Sequence, residues 1–193
     1  MRAHAARTFL HGGLASVVSV MQRREYAIDK AIKDRAEAEA VCAAVIEVLR
    51  PVIRSAQIDV FTDFPEQMPE HVRRAEVQLV AAAEGRKRRG SDGRMALQVN
   101  TDDPEWSAVE NYAAWSINAD LAGPNGENLA TFHDCGYSVV AALTDEEVAS
   151  LRARLGPIAP VSLLSDLHDR RRSEKRSARR SLLRTLLGRR ADR

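Results

Sequence analysis

Residues 112–156 read YAAWSINADLAGPNGENLATFHDCGYSVVAALTDEEVASLRARLG, and the turn residues in this segment set the fold class. Trp115, Ile117, Ala119 and Leu121 alternate with Ser116, Asn118 and Asp120, which predicts a half-buried strand over Tyr112–Leu121. Gly123, Pro124, Asn125 and Gly126 are a turn signal, and Leu129 to His133 reads as a second strand. Asp134, Cys135 and Gly136 make another tight turn before a third strand over Tyr137–Leu143. Short turns between successive strands predict an antiparallel meander. Thr144 and Glu147 then match a capping box, in which the threonine oxygen takes the Glu147 amide proton and the glutamate reaches back to the threonine amide. A helix over Asp145–Leu155 follows, with Val148, Leu151 and Leu155 inward and Gly156 with Pro157 as its stop.

Upstream, Glu25 to Arg50 contains neither Gly nor Pro, and Ile28, Ile32, Val41, Val45 and Leu49 recur at near-helical spacing. One long amphipathic helix ending at Pro51 is expected. Ser55 to Phe64 has strand character, Pro69 to Glu84 reads as a helix with Pro69 in its first turn, and Gly85 to Gly93 is an exposed basic loop. Met95 to Val99 reads as a strand, and Asp103 with Pro104 as the start of a short helix to Glu110. The expected class is α+β: a small antiparallel meander of three to four strands packed against a long N-terminal helix and a C-terminal helix. The expected divisions are an N-terminal extension over 1–22, an α+β domain over 23–156, and a linker with a basic helical or disordered tail over 157–193.

A chain of 193 residues has room for one ordinary domain with tails, and 45% hydrophobic residues are enough for a core without metals or disulfides. The net charge of +2 is a cancellation. Residues 1–164 carry 18 Lys/Arg against 23 Asp/Glu, whereas residues 165–193 carry 11 against 4. Between Met95 and Leu151 there are ten acidic residues and no Lys or Arg. Such a region offers an acidic face to a basic protein partner, or to the chain's own tail. Two cysteines with no Cys-x-x-Cys spacing suit a reducing cytoplasm, and no apolar run approaches the roughly 20 residues of a membrane-spanning helix. The first 24 residues hold four arginines and no acid, as in a transit peptide or an extension ahead of a start at Met21. Arginine outnumbers lysine 25 to 4, a bias of GC-rich genomes and not a property of the protein, and a bacterial cytoplasmic module is the expectation.

Chemistry-bearing motifs are sparse. Phe132, His133, Asp134 and Cys135 share letters with the distal-histidine motif of plant-type haem peroxidases. That motif needs an arginine four positions before the histidine, where this chain has Leu129, and a helical pocket that a strand end does not supply. The same residues allow a second reading, in which His133 lowers the pKa of a nucleophilic Cys135 thiol in a small hydrolase or transferase. The rival reading is a plain turn. His4, His11, His71 and His168 lack ligand spacing, and the loop from Gly85 lacks the ending of a phosphate-binding loop, so neither metal nor cofactor is expected.

The tail carries the clearest functional signal. Arg170, Arg171, Arg172, Lys175, Arg176, Arg179, Arg180, Arg184, Arg189 and Arg190 form an anion-binding candidate, and Leu182, Leu183, Leu186 and Leu187 follow one another as a stripe. Three partners fit: nucleic-acid phosphates, an anionic membrane surface that takes the leucine stripe, or an acidic protein with an apolar groove. No aromatic residue occurs from 165 to 193, so base stacking is not expected. The resulting expectation is a non-enzymatic binding or adaptor module, of which an antitoxin- or immunity-like inhibitor is one version at the level of charge.

Overall fold

The computed structural model describes residues 22–86, 92–156 and 158–191, with side chains through residue 177. Within them, seven strands and five α-helices follow in chain order. They are β1 (Arg24–Ile28), α1 (Arg35–Leu49), β2 (Ser55–Ile58), α2 (Glu70–Arg86), β3 (Leu97–Asn100), α3 (Trp106–Tyr112), β4 (Asn118–Ala122), β5 (Asn128–His133), β6 (Ser138–Leu143), α4 (Asp145–Leu155), β7 (Val161–Leu163) and α5 (Leu164–Ala191). The strands form one antiparallel sheet in the order β3-β2-β4-β5-β6-β1-β7.

The class is α+β, with the expected meander β4-β5-β6 at its centre. The sheet exceeds three to four strands because both flanks are recruited from distant sequence. On one flank β2 and β3 pair beside β4, and on the other β1 pairs with β6 and β7 pairs with β1.

Three elements differ from the sequence expectation, each for a tertiary reason. Residues 24–28 are a strand and not the start of a long helix. Tyr26 faces Ala141 on one side and Leu163 on the other, and this double pairing outweighs local helix propensity. Helix α1 starts ten residues later than expected, where the Asp34 side chain accepts the Glu37 amide proton at 2.9 Å. The second difference is at residues 113–117, read as the start of a strand but forming a buried turn between α3 and β4. Ala113, Ala114, Trp115 and Ser116 are all buried, and Ser116 Oγ lies 2.6 Å from the carbonyl oxygens of Asp59 and Asn118. Third, residues 161–163 are the edge strand β7, inside the stretch expected to be linker and tail.

Registers place Tyr26, Ala141, Ala130, Leu121, Ala56 and Val99 side by side across the sheet, and all are buried. This row and its neighbour Val139, Phe132, Ala119, Ile58 and Leu97 form the core face, small residues at the centre leaving room for the helices. The opposite face presents Ser162, Ala27, Val140, Thr131, Asp120, Gln57 and Gln98, none of them buried. It is a one-sided antiparallel sheet. The capping box of Thr144 and Glu147 is present at the start of α4, and α1 packs on α4. Both outer edges are covered by arginines: Arg86 donates to the Gln98 carbonyl of β3, and Arg152 donates to the Val161 carbonyl of β7. Such caps remove acceptors that a stray strand would pair with. The expected extension over 1–22 falls, apart from Gln22, outside the described residues, as do 87–91 of the basic loop; Gly85 and Arg86 close α2.

Candidate functional site

The basic candidate residues lie on α5, which spans 28 residues. At a rise of 1.5 Å per residue the helix is about 42 Å long. Its root is fixed by three contacts. Leu167 is buried, Arg170 Nη2 lies 3.0 Å from Asp29 Oδ2, and the same oxygen accepts a hydrogen bond from Ser162 Oγ at 2.8 Å. The Ser162 hydroxyl first, and then the Arg170 guanidinium, hold the Asp29 carboxyl below the usual carboxylate range. Asp29 thereby ties the end of β1 to both β7 and α5.

Beyond this latch the helix is exposed. Arg171, Arg172, Lys175 and Arg176 all face solvent. Among the described residues, Arg171, Lys175 and Arg176 form no ion pair, and Arg172 reaches only Asp169, at 3.9 Å. Arg172, Lys175 and Arg176 stand at helical positions i, i+3 and i+4, so their charges share one side of the helix. The side chains of Arg179, Arg180, Arg184, Arg189 and Arg190, and the leucine stripe, lie outside the described residues.

Among the described side chains, no carboxylate of the acidic segment 95–151 pairs with the arm. Its ion-paired carboxylates meet arginines of the body instead. Arg23 grips Glu147 with two bonds of 2.6 and 2.8 Å, Arg24 meets Asp145, Arg50 meets Glu110, and Arg86 lies 3.3 Å from both Asp103 and Glu105. The acids are therefore distributed around the body: at the start of α4, beside α3, and, for Asp120, on the open sheet face.

The turn holding His133 and Cys135 has a different character. Asp134, Cys135 and Gly136 have φ of 52°, 56° and 78°, three consecutive left-handed residues. That geometry breaks the extended alternation that would set His133 and Cys135 on the same side. His133 is exposed at the end of β5, whereas Cys135 is fully buried, its Sγ 3.8 Å from Thr62 Oγ1. Among the described residues no hydrogen bond joins His133 to Cys135. Gly136 is required by close approach as well as by φ, since a Cβ there would lie 3.0 Å from Cys42 Sγ and 3.1 Å from the Ala114 carbonyl oxygen. Burial pushes the Cys42 thiol up to about 12.

Arg35 secures this turn. Its two terminal nitrogens donate to the carbonyls of Cys135 and Ala114. Its guanidinium carbon lies 4.3 Å from the Trp115 ring centroid, 5.4 Å from that of Tyr137 and 5.5 Å from that of Phe64. Sequence reasoning missed both Arg35 and Asp29. Each works through residues more than 25 positions away, and neither carries a local motif.

Among the described residues no group of three or more His, Cys, Asp or Glu is placed to hold a metal ion, and no helix is long and apolar enough to cross a membrane. Comparisons with protein-family models, with curated proteins and with solved structures found no match.

Proposed function

We propose that the protein is a non-enzymatic binding module whose Arg-rich helix α5 contacts the phosphates of a nucleic acid. The observation that carries this reading is the run Arg171, Arg172, Lys175 and Arg176, exposed on a helix whose root is latched to the body. Cations displayed in this way release condensed counterions when they meet a phosphate backbone, which gives affinity that needs no base contacts. With no aromatic residue from 165 to 193, the arm does not stack on bases, so it reads charge and groove shape and has little sequence preference. Residues 1–164 carry five more acidic than basic side chains, 23 against 18, which disfavours phosphate contact away from the arm.

The test is a binding titration with a random-sequence duplex, comparing the full chain with a variant in which Arg171, Arg172, Lys175 and Arg176 are all changed to Gln. The native chain binds and the variant loses most of its affinity. Anionic vesicles and a polyglutamate peptide serve as competing targets. Preference for either over the duplex replaces nucleic acid with a membrane surface or an acidic protein, and binding to none of the three ends the reading.

A further inference from the structure

We propose that the exposed face of α2 is the surface through which two copies of this chain associate, antiparallel and about a two-fold axis. Helix α2 spans 17 residues, a length of about 26 Å at 1.5 Å per residue. Val72, Ala75, Leu79 and Ala83 form its buried side, and the helix packs on α3. The opposite side carries Arg74, Val77, Ala81 and Glu84, all exposed. Their spacing of three, four and three residues keeps them in one stripe, the seam spacing of a coiled coil. Val77 is 68% exposed, one of two large apolar side chains left in solvent among the described residues.

The order of these four residues makes the stripe complementary to itself. When two copies of α2 run antiparallel with the symmetry axis at the level of Leu79, Val77 of each copy meets Ala81 of the other, and Arg74 of each meets Glu84 of the other. The contact then has an apolar centre and an ion pair at either end. Valine against alanine sets a large side chain beside a small one, which lets the two helices approach. A parallel arrangement in register sets Arg74 against Arg74 and Glu84 against Glu84, so the charges select the antiparallel one. Among the described residues neither Arg74 nor Glu84 is in an ion pair, and both are available to a second copy. The same face serves both copies, so the contact closes on itself and yields a dimer and no larger assembly. One helix face per copy is a small interface, and the dimer is a transient one that forms at high protein concentration. No residue of α5 takes part, so the inference stands apart from the nucleic-acid reading.

The experiment is analytical ultracentrifugation of the full chain over a concentration series reaching the millimolar range, with circular dichroism to check that each variant keeps the native fold. The native chain is expected to pass from monomer to dimer with rising concentration and to form nothing larger. Val77→Asp places a carboxylate at the apolar centre, close to Glu84 of the other copy, and weakens the dimer at least about tenfold. Arg74→Glu sets like charges against each other at both symmetry-related positions and weakens it about tenfold, and Glu84→Arg does the same. The double variant, Arg74→Glu with Glu84→Arg, exchanges the two signs, restores both pairs and returns to within about threefold of the native constant. That rescue belongs to the antiparallel contact, because association through another surface does not couple position 74 to position 84. A chain that is monomeric throughout the series, a dimer indifferent to Val77→Asp, or a double variant no tighter than either single one overturns the proposal.

Discussion

Replacing Arg35 by alanine is expected to be among the most damaging changes available outside the apolar core. The side chain spans α1, the buried turn before β4 and the left-handed turn between β5 and β6. Two hydrogen bonds from a charged donor contribute about 1.5 to 3 kcal/mol each, because truncation leaves two carbonyls without their partner. Packing of the guanidinium against Trp115, Tyr137 and Phe64 adds about 0.5 to 2 kcal/mol. Water entering beside the half-buried site replaces part of this, so a net loss of about 3 to 5 kcal/mol is expected. For a chain of this size each kcal/mol moves the melting midpoint by about 2 to 4 °C, so the drop is roughly 6 to 20 °C. The assay is urea unfolding followed by tryptophan fluorescence, with Arg35→Lys as the control. Lysine keeps the charge and one carbonyl bond but lacks the planar fork, and it should lose about half as much. An Arg35→Ala protein within about 1 kcal/mol of native would refute the assignment of Arg35 as the brace of this turn.

Gly136→Ala forces a Cβ into a left-handed position against Cys42 Sγ and the Ala114 carbonyl, and a stability loss above about 2 kcal/mol by urea unfolding is expected. Cys42, buried and with its thiol pushed up to about 12, should resist alkylation at neutral pH in the folded protein and label fully in urea, as read by mass spectrometry. Early labelling of Cys42 in the native state would show that α1 opens. Asp29 has a folded-state pKa below its ordinary value of 3.8, so the stabilisation from its latch is present above that value and is lost as pH falls through the folded value. Amide protection factors in the first turns of α5, which correct for the intrinsic pH dependence of exchange, should therefore fall as pH drops below 3.8, and Asp29→Asn should already show the lowered protection at neutral pH.

The central meander was legible because its turns are written in Gly, Pro, Asn and Asp at fixed positions, and α4 because Thr144 and Glu147 announce its cap. Strands β1 and β7 were not. β1 passes into an Ala-rich helix without a single Gly or Pro, and only Asp34, which caps α1, marks the break. β7 has three residues, too few for any period, and it exists because β1 offers a free edge more than 130 positions earlier. Around Trp115, apolar and polar residues alternate as in a strand, yet Ser116 is buried with them through its bonds to Asp59 and Asn118. Alternation reports exposure only where the backbone is extended. The same limit applies to His133 and Cys135, whose spacing of two would align them on a strand but not through left-handed residues. The cations of α5 could be read directly from composition. Their anchor, Asp29, could not, because a lone carboxylate has no signature until folding brings Ser162 and Arg170 to it.

If α5 acts as a polycationic arm, the salt dependence of duplex binding measures that property directly. Fluorescence anisotropy of a labelled random-sequence duplex, titrated with the full chain over a series of salt concentrations, gives the slope of log affinity against log salt. Engagement of Arg171, Arg172, Lys175 and Arg176 alone predicts a slope of about −3.6, a loss of roughly 150-fold for a fourfold rise in salt. Participation of Arg179, Arg180, Arg184, Arg189 and Arg190 as well would steepen it to about −8. A slope near zero, or a slope unchanged when the first four cations are replaced by Gln, would contradict the assignment of α5 as the nucleic-acid contact.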